Sequence, residues 1–180
     1  MVSVLGLKYG TVRLVDHDAR WREAFLTERA LLIEALDGLR CVVEHIGSTA
    51  VPGLTAKPIL DIAVGIPDSA DVPASIARLQ HLGYEYRGDA GADGGHVLVR
   101  ANGDVRTHHV HVVELEGKQW RAYLAFRDLL RNDPLARQMY AAAKQELALR
   151  FADDRKSYTK AKDELVGRLL PPTTGAQPSR

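Results

Sequence analysis

Between Gly47 and His111 the chain carries side chains whose types and spacing suit the handling of phosphate. Gly47-Ser48 follows the short apolar run "CVVEHI". A glycine there allows close backbone approach, and the exposed N–H groups of a turn can hold phosphate oxygens. The serine hydroxyl adds one hydrogen bond or caps the following turn. The same dipeptide also serves as an ordinary strand-ending turn. Asp61 is the one charge in "ILDIAVGI", a run that is otherwise nearly all apolar. Burying a carboxylate is costly unless it is paired, hydrogen-bonded or metal-bound. It therefore marks a site, or it pairs with a buried cation such as Lys57 or a C-terminal arginine.

The run "THHVHVVE" supplies three histidines. Alternation along a strand puts His109 and His111 on one face with Thr107 and Val113. His108 then faces the other way with Val110, Val112 and Glu114. A His-x-His pair on a strand suits a metal or a phosphate, and it also suits an exposed edge strand with polar decoration. His45 and His96 are weaker candidates. Arg121, Arg127, Arg131, Lys144 and Lys162 fall on helical patterns in the last third. Most such charges are solvated, while one or two can turn toward a site and bind phosphate.

These residues need elements to position them. Asp16 to Leu39 reads as a helix, capped by Asp16 or Asp18 and stopped near Gly38. "CVVEHI" reads as a strand, and "GSTAVPGLTAKP" as a loop or broken helical turn. Residues 59–66 suit a central strand buried on both faces. A helix over 70–82, a strand around 84–87 and the loop "GDAGADGG" follow. Two strands, 96–101 and 106–115, come next, joined by a hairpin at Asn102-Gly103 or Gly103-Asp104. Helices are expected over 119–132, over 134–151 with Pro134 in its first turn, and over 156–170. The layout is one domain over 1–170, with a sheet part to about 117, a helical part over 118–170, and a flexible tail at 171–180.

Composition narrows the classes. The 180 residues are 46% hydrophobic and 26% charged, which fits a packed core. The formal net charge of +1 gives little reach toward nucleic acid or membrane. A single cysteine, Cys41, excludes an internal disulfide and a cysteine metal cluster. "MVSVLGLKYG" lacks the layout of a signal peptide, and no apolar run approaches the roughly 20 residues needed to cross a bilayer. A cytoplasmic protein is the expectation.

The blocks "EHIGSTAVPGLTAKPILDI", "THHVHVVE", "AFRDLLR" and "SYTKAKDEL" together resemble the GrpB-like family, from about Val12 to Leu170. That family is assigned to the polymerase-beta-like nucleotidyltransferase superfamily. The resemblance implies an α/β (α+β) fold: a mixed sheet flanked by helices, with a helical C-terminal part. In that superfamily the Gly-Ser turn holds a nucleoside triphosphate, and carboxylates at D-x-D spacing, with a third on a later strand, hold two magnesium ions. Carried onto this chain, Gly47 and Ser48 fit the turn; beside them, Lys57, Arg127, Lys144 and Lys162 are expected as nucleotide contacts on the reading of the basic residues. Asp61 fits the first carboxylate. Ala63 stands where the second belongs, and the third-acid strand presents His109 and His111.

Asp61, His109 and His111 are thus the expected catalytic and metal-binding set. One Asp and two His suit zinc or manganese better than magnesium, which prefers oxygen ligands. Three readings follow. The first is transfer of a phosphoryl or nucleotidyl group from ATP or another NTP to a small-molecule acceptor. The second is a nucleotide-binding module without catalysis. The third is ATP-dependent activation of a carboxylate for ligation. Members of the family sometimes occur fused to dephospho-coenzyme A kinase. This chain has no G-x-x-x-x-G-K-[ST] loop and so carries no kinase domain of that type.

Overall fold

The computed structural model describes residues 4–91 and 95–169. The expected tail at 171–180 and the middle of the 88–95 loop lie outside the described residues. The elements run β1 (Leu7–Lys8), α1 (Arg20–Ala35), β2 (Val42–Ile46), β3 (Leu60–Ile66), α2 (Val72–His81), β4 (Glu85–Asp89), β5 (His96–Asn102), β6 (Val105–Glu114), α3 (Lys118–Asn132), α4 (Pro134–Arg150) and α5 (Arg155–Leu169). A 3₁₀ turn over Ser48–Ala50 follows β2, and another over Ser69–Asp71 leads into α2.

The sheet order is β2-β3-β6-β5-β4, with β1 added against the start of β6. Among the described residues only β3 and β6 run parallel; the other pairings are antiparallel. This is the mixed sheet flanked by helices, with a helical C-terminal part, that the resemblance implies. Alternation along β3 sends Leu60, Ile62, Val64 and Ile66 into a core with Trp21, Phe25 and Leu32 of α1 and Leu79 of α2. Asp61, Ala63 and Gly65 take the other face. There Ala63 packs with Ile46, Val113 and Trp120 of α3. A Cβ on Gly65 would come within 2.8 Å of the Trp120 ring, so the small residue lets α3 lie close. A third cluster joins Val51 and Leu54, after the first turn, to Leu130, Ala136 and Tyr140. Thus α3, α4 and α5 cover the face that carries Asp61.

α1 begins later than its pattern implies. Val15 pairs with Ala56 in an isolated antiparallel bridge, which keeps the chain extended there. Asp18 then accepts the Arg20 N–H at 2.9 Å and opens the helix. Two carbonyls of β2, the strand at one end of the sheet, are held by arginines. Arg29 of α1 donates to Val43 O at 3.4 Å, and Arg127 of α3 to His45 O at 3.2 Å. Among the described residues no helix is long and apolar enough to cross a membrane.

Candidate functional site

β2 ends at Ile46, directly opposite Asp61 on β3. The chain must then turn hard across that carboxylate. Gly47 does so with φ 69°, a left-handed conformation that side chains disfavour. A Cβ at this position would lie 2.6 Å from Asp61 Oδ2. Glycine is therefore required twice over, for its backbone angle and for its contact. Ser48 next opens the 3₁₀ turn, and its Oγ accepts a hydrogen bond from Lys144 Nζ at 3.0 Å. Lys144 also donates to Thr55 O at 2.6 Å and lies 4.7 Å from the centroid of the Tyr140 ring. The residue is 2% exposed; burial, helped by Lys162 and Lys57, pushes its pKa down to about 7. Tyr140, itself buried, hydrogen-bonds Ser48 as well.

Across the parallel pair, Asp61 stands beside His109 and Ala63 beside His111. His109 Nδ1 lies 3.2 Å from Asp61 Oδ1. Burial works against the charge of Asp61, but the His109 hydrogen bond and the nearby His109, His111 and Lys162 outweigh it and hold the carboxyl at about 2. An ionised carboxylate only accepts, so His109 donates through Nδ1, and in the neutral ring that leaves the Nε2 lone pair as an acceptor. The two side chains are 33% and 20% exposed, so both are within reach of a ligand. His111 has a different partner: its Nδ1 is 3.1 Å from the hydroxyl of Tyr123 on α3.

The three expected metal ligands share a face but do not form a ligand set. Among the described residues no group of three His, Cys, Asp or Glu is placed to hold a metal ion. His109 turns its Nδ1 to Asp61 itself, His111 turns its Nδ1 to Tyr123, and Ala63 offers no oxygen. The pair of magnesium ions implied by the resemblance does not fit these residues, since hard cations need several oxygens.

The basic residues divide. Lys57 Nζ sits 3.7 Å from the centre of the Tyr158 ring, and burial, with Lys162, Arg155 and Arg106 nearby, pushes it down to about 7. It is not the ion-pair partner of Asp61. On α5, Lys162 Nζ is 3.3 Å from Asp163. Burial opposes its charge, yet Asp163 and Asp61 help hold the ammonium above its usual range. Arg127 is engaged elsewhere. Its guanidinium binds Glu44 at 2.7 Å and Asp128 at 2.7 Å, besides the β2 carbonyl. Neighbouring Arg131 anchors the first turn by donating to Ala50 O at 2.9 Å.

Two further residues belong to this face although strand parity and helix pattern did not single them out. Tyr123 reads as an ordinary aromatic on α3, and only the packing aims it at His111. Arg106 shares parity with His108, so alternation assigns it to the opposite face. Elsewhere, a cleft of about 990 Å³ opens where β3 and β6 end, lined among others by Arg40, Asp68, Glu114 and Lys118.

The chain is similar to known proteins. The chain is 40% identical to UPF0157 protein PA4798 of Pseudomonas aeruginosa over 162 residues, 88% of this chain and 66% of that protein, just under two thirds of its length. It is 34% identical over 171 residues to the glutamate-rich protein GrpB of Alkalihalophilus pseudofirmus, covering 93% and 98% of the two chains. The crystal structure of conserved protein GrpB from Enterococcus faecalis superposes with a TM-score of 0.73 at 33% identity, over 87% of this chain and 98% of that one. Residues 11–171 match the family described as GrpB protein, and the chain belongs to the GrpB family.

Proposed function

We propose that this protein is a nucleotidyltransferase-fold enzyme. On this reading it binds the phosphates of ATP or another nucleoside triphosphate at the Gly47-Ser48 turn and transfers a phosphoryl or nucleotidyl group to a small-molecule acceptor. The observation that carries this reading is the locked unit of turn, acid and lysine: Gly47 against Asp61, and Ser48 against Lys144. Turn amides and Ser48 would hold phosphate oxygens, while Lys144 and Lys162 would offset their charge. Lys144 has its pKa lowered to about 7 by burial and has no carboxylate of its own, a strain that a bound phosphate would relieve.

His109 would act as general base. The acceptor hydroxyl oxygen attacks phosphorus, the bond to the leaving phosphate oxygen breaks, and the hydroxyl proton passes to His109 Nε2. Asp61 fixes the tautomer and stabilises the imidazolium that forms. The test combines calorimetry with a non-hydrolysable ATP analogue and turnover of labelled ATP across an acceptor panel. His109→Gln should abolish turnover and leave analogue binding intact. Lys144→Met should weaken analogue binding about tenfold or more, since hydrogen bonds from charged groups are worth roughly 1.5–3 kcal/mol. Absence of binding to any nucleotide would remove this reading.

Ala63 favours a second one, binding without transfer, because it removes an acid that two-metal transfer relies on. That reading expects analogue binding that survives chelator, with no turnover for any acceptor.

A further inference from the structure

Arg106 is 2% exposed, yet its guanidinium has no acidic partner among the described residues. Nη2 donates to Lys8 O at 3.3 Å, and the group stacks 4.8 Å from the centre of the Tyr9 ring. Nε is buried and donates to nothing among the described residues. A buried cation left this way is costly, and proteins rarely keep one without use. A break in the ladder brought it here. Arg100 pairs with His108 but Ala101 pairs with Arg106, so Thr107 is an extra residue in β6. The bulge reverses the parity that alternation predicts and turns Arg106 onto the face of Asp61.

Two other cations join it. Arg155 opens α5 and is exposed, while Lys57 is half-buried. Packing brings the three together: Lys57 Nζ lies 3.7 Å over the ring of Tyr158, one turn on from Arg155 in α5, and next to Lys57 the Pro58 carbonyl accepts from Gly6 N–H, beside the Leu7 that pairs with Arg106. None of the three has an ion-pair partner among the described residues. The Gly47-Ser48 turn lies on the β2 side of Asp61, and Arg106 on the β6 side, three residues before His109.

We propose that Lys57, Arg106 and Arg155 form a second anion subsite on the β6 side of Asp61, which holds a phosphate or carboxylate carried by the acceptor. Arg155 and Lys57 meet the anion, and Arg106 adds its charge from behind them. The acceptor is then itself an anion, held with its hydroxyl beside His109. Assigning the anion to an acceptor rests on the nucleotide reading; the subsite does not.

The test titrates inorganic phosphate into the full chain in the presence of a saturating non-hydrolysable ATP analogue, with a parallel titration of acetate. Phosphate or acetate should bind alongside the analogue, and the tighter of the two identifies the group. Arg155→Gln and Arg106→Gln should each weaken that binding tenfold or more and leave analogue affinity unchanged. Arg155 is exposed, so its variant reports even if the buried substitution prevents folding. Displacement of phosphate by the analogue, no binding of either anion, or equal binding to Arg155→Gln would overturn the subsite. If the analogue fails to bind while phosphate binds through Arg155, the nucleotide reading falls and the subsite stands.

Discussion

The two faces of the sheet both bury ionisable groups, and they treat them oppositely. On the α1 side, Glu28 is 4% exposed and fully engaged: it accepts from Tyr84 at 2.9 Å and from Arg100 at 2.6 Å. Arg100 adds a bond to Leu82 O and packs over the Tyr84 ring. His108 closes the group, pushed down to about 4 by burial, and so stays neutral. On the α3–α5 side, Lys57, Lys144 and Arg106 gather around Asp61 without an acid of their own. A satisfied buried network fixes a fold. A buried excess of one sign is what the proposed anions would balance, and that contrast separates architecture from candidate site.

The largest test of this contrast is Glu28→Ala. Breaking a buried pair by removing one partner costs about 3–5 kcal/mol, so the denaturant midpoint should fall sharply. Nucleotide affinity per folded molecule should not change. If affinity falls equally, the two faces are not separable. Gly47→Ala comes next. It forces a Cβ against Asp61 at a positive φ and should cost about 1–3 kcal/mol in stability. Its effect on analogue binding should exceed its effect on the midpoint, because the turn and the acid move together.

Smaller effects come from pH. With Lys144 lowered to about 7 from 10.5, the folded state sheds its proton before the unfolded state does. Between those values the unfolded chain binds more protons, so stability should rise as pH rises, and the penalty should be fully present below about pH 7. Lys144→Met should flatten that rise in thermal melts taken across the window. Asp61 gives the least. Its carboxyl is held at about 2 against 3.8, so its contribution is present above about pH 4 and lost as pH falls toward 2. Asp61→Asn should remove that acid-side decline in melts taken from about pH 4 down to 2.

The strands were legible because alternation is a strict code. It puts Asp61, His109 and His111 on one face, and the parallel register sets them side by side. What sequence patterns missed are features that alternation and helical spacing do not encode. The bulge at Thr107 breaks the code locally and hides Arg106. Tyr123 becomes a partner of His111 only through the close approach of α3 over Gly65. Arg127 sits on the right helix, but Glu44 and Asp128 already occupy its guanidinium. β1 is two residues long and exists because β6 offers it an edge, so it leaves almost no pattern of its own.

One feature of β2 reaches beyond the site. A terminal strand normally invites another strand to pair with it. Here Arg29 and Arg127, coming from helices on opposite faces, occupy the carbonyls of Val43 and His45. An incoming strand would have to evict two guanidinium groups, one of them also tied to acids. The sheet is thereby closed to growth on that side, and self-association through it is discouraged by the same helices that build the two faces.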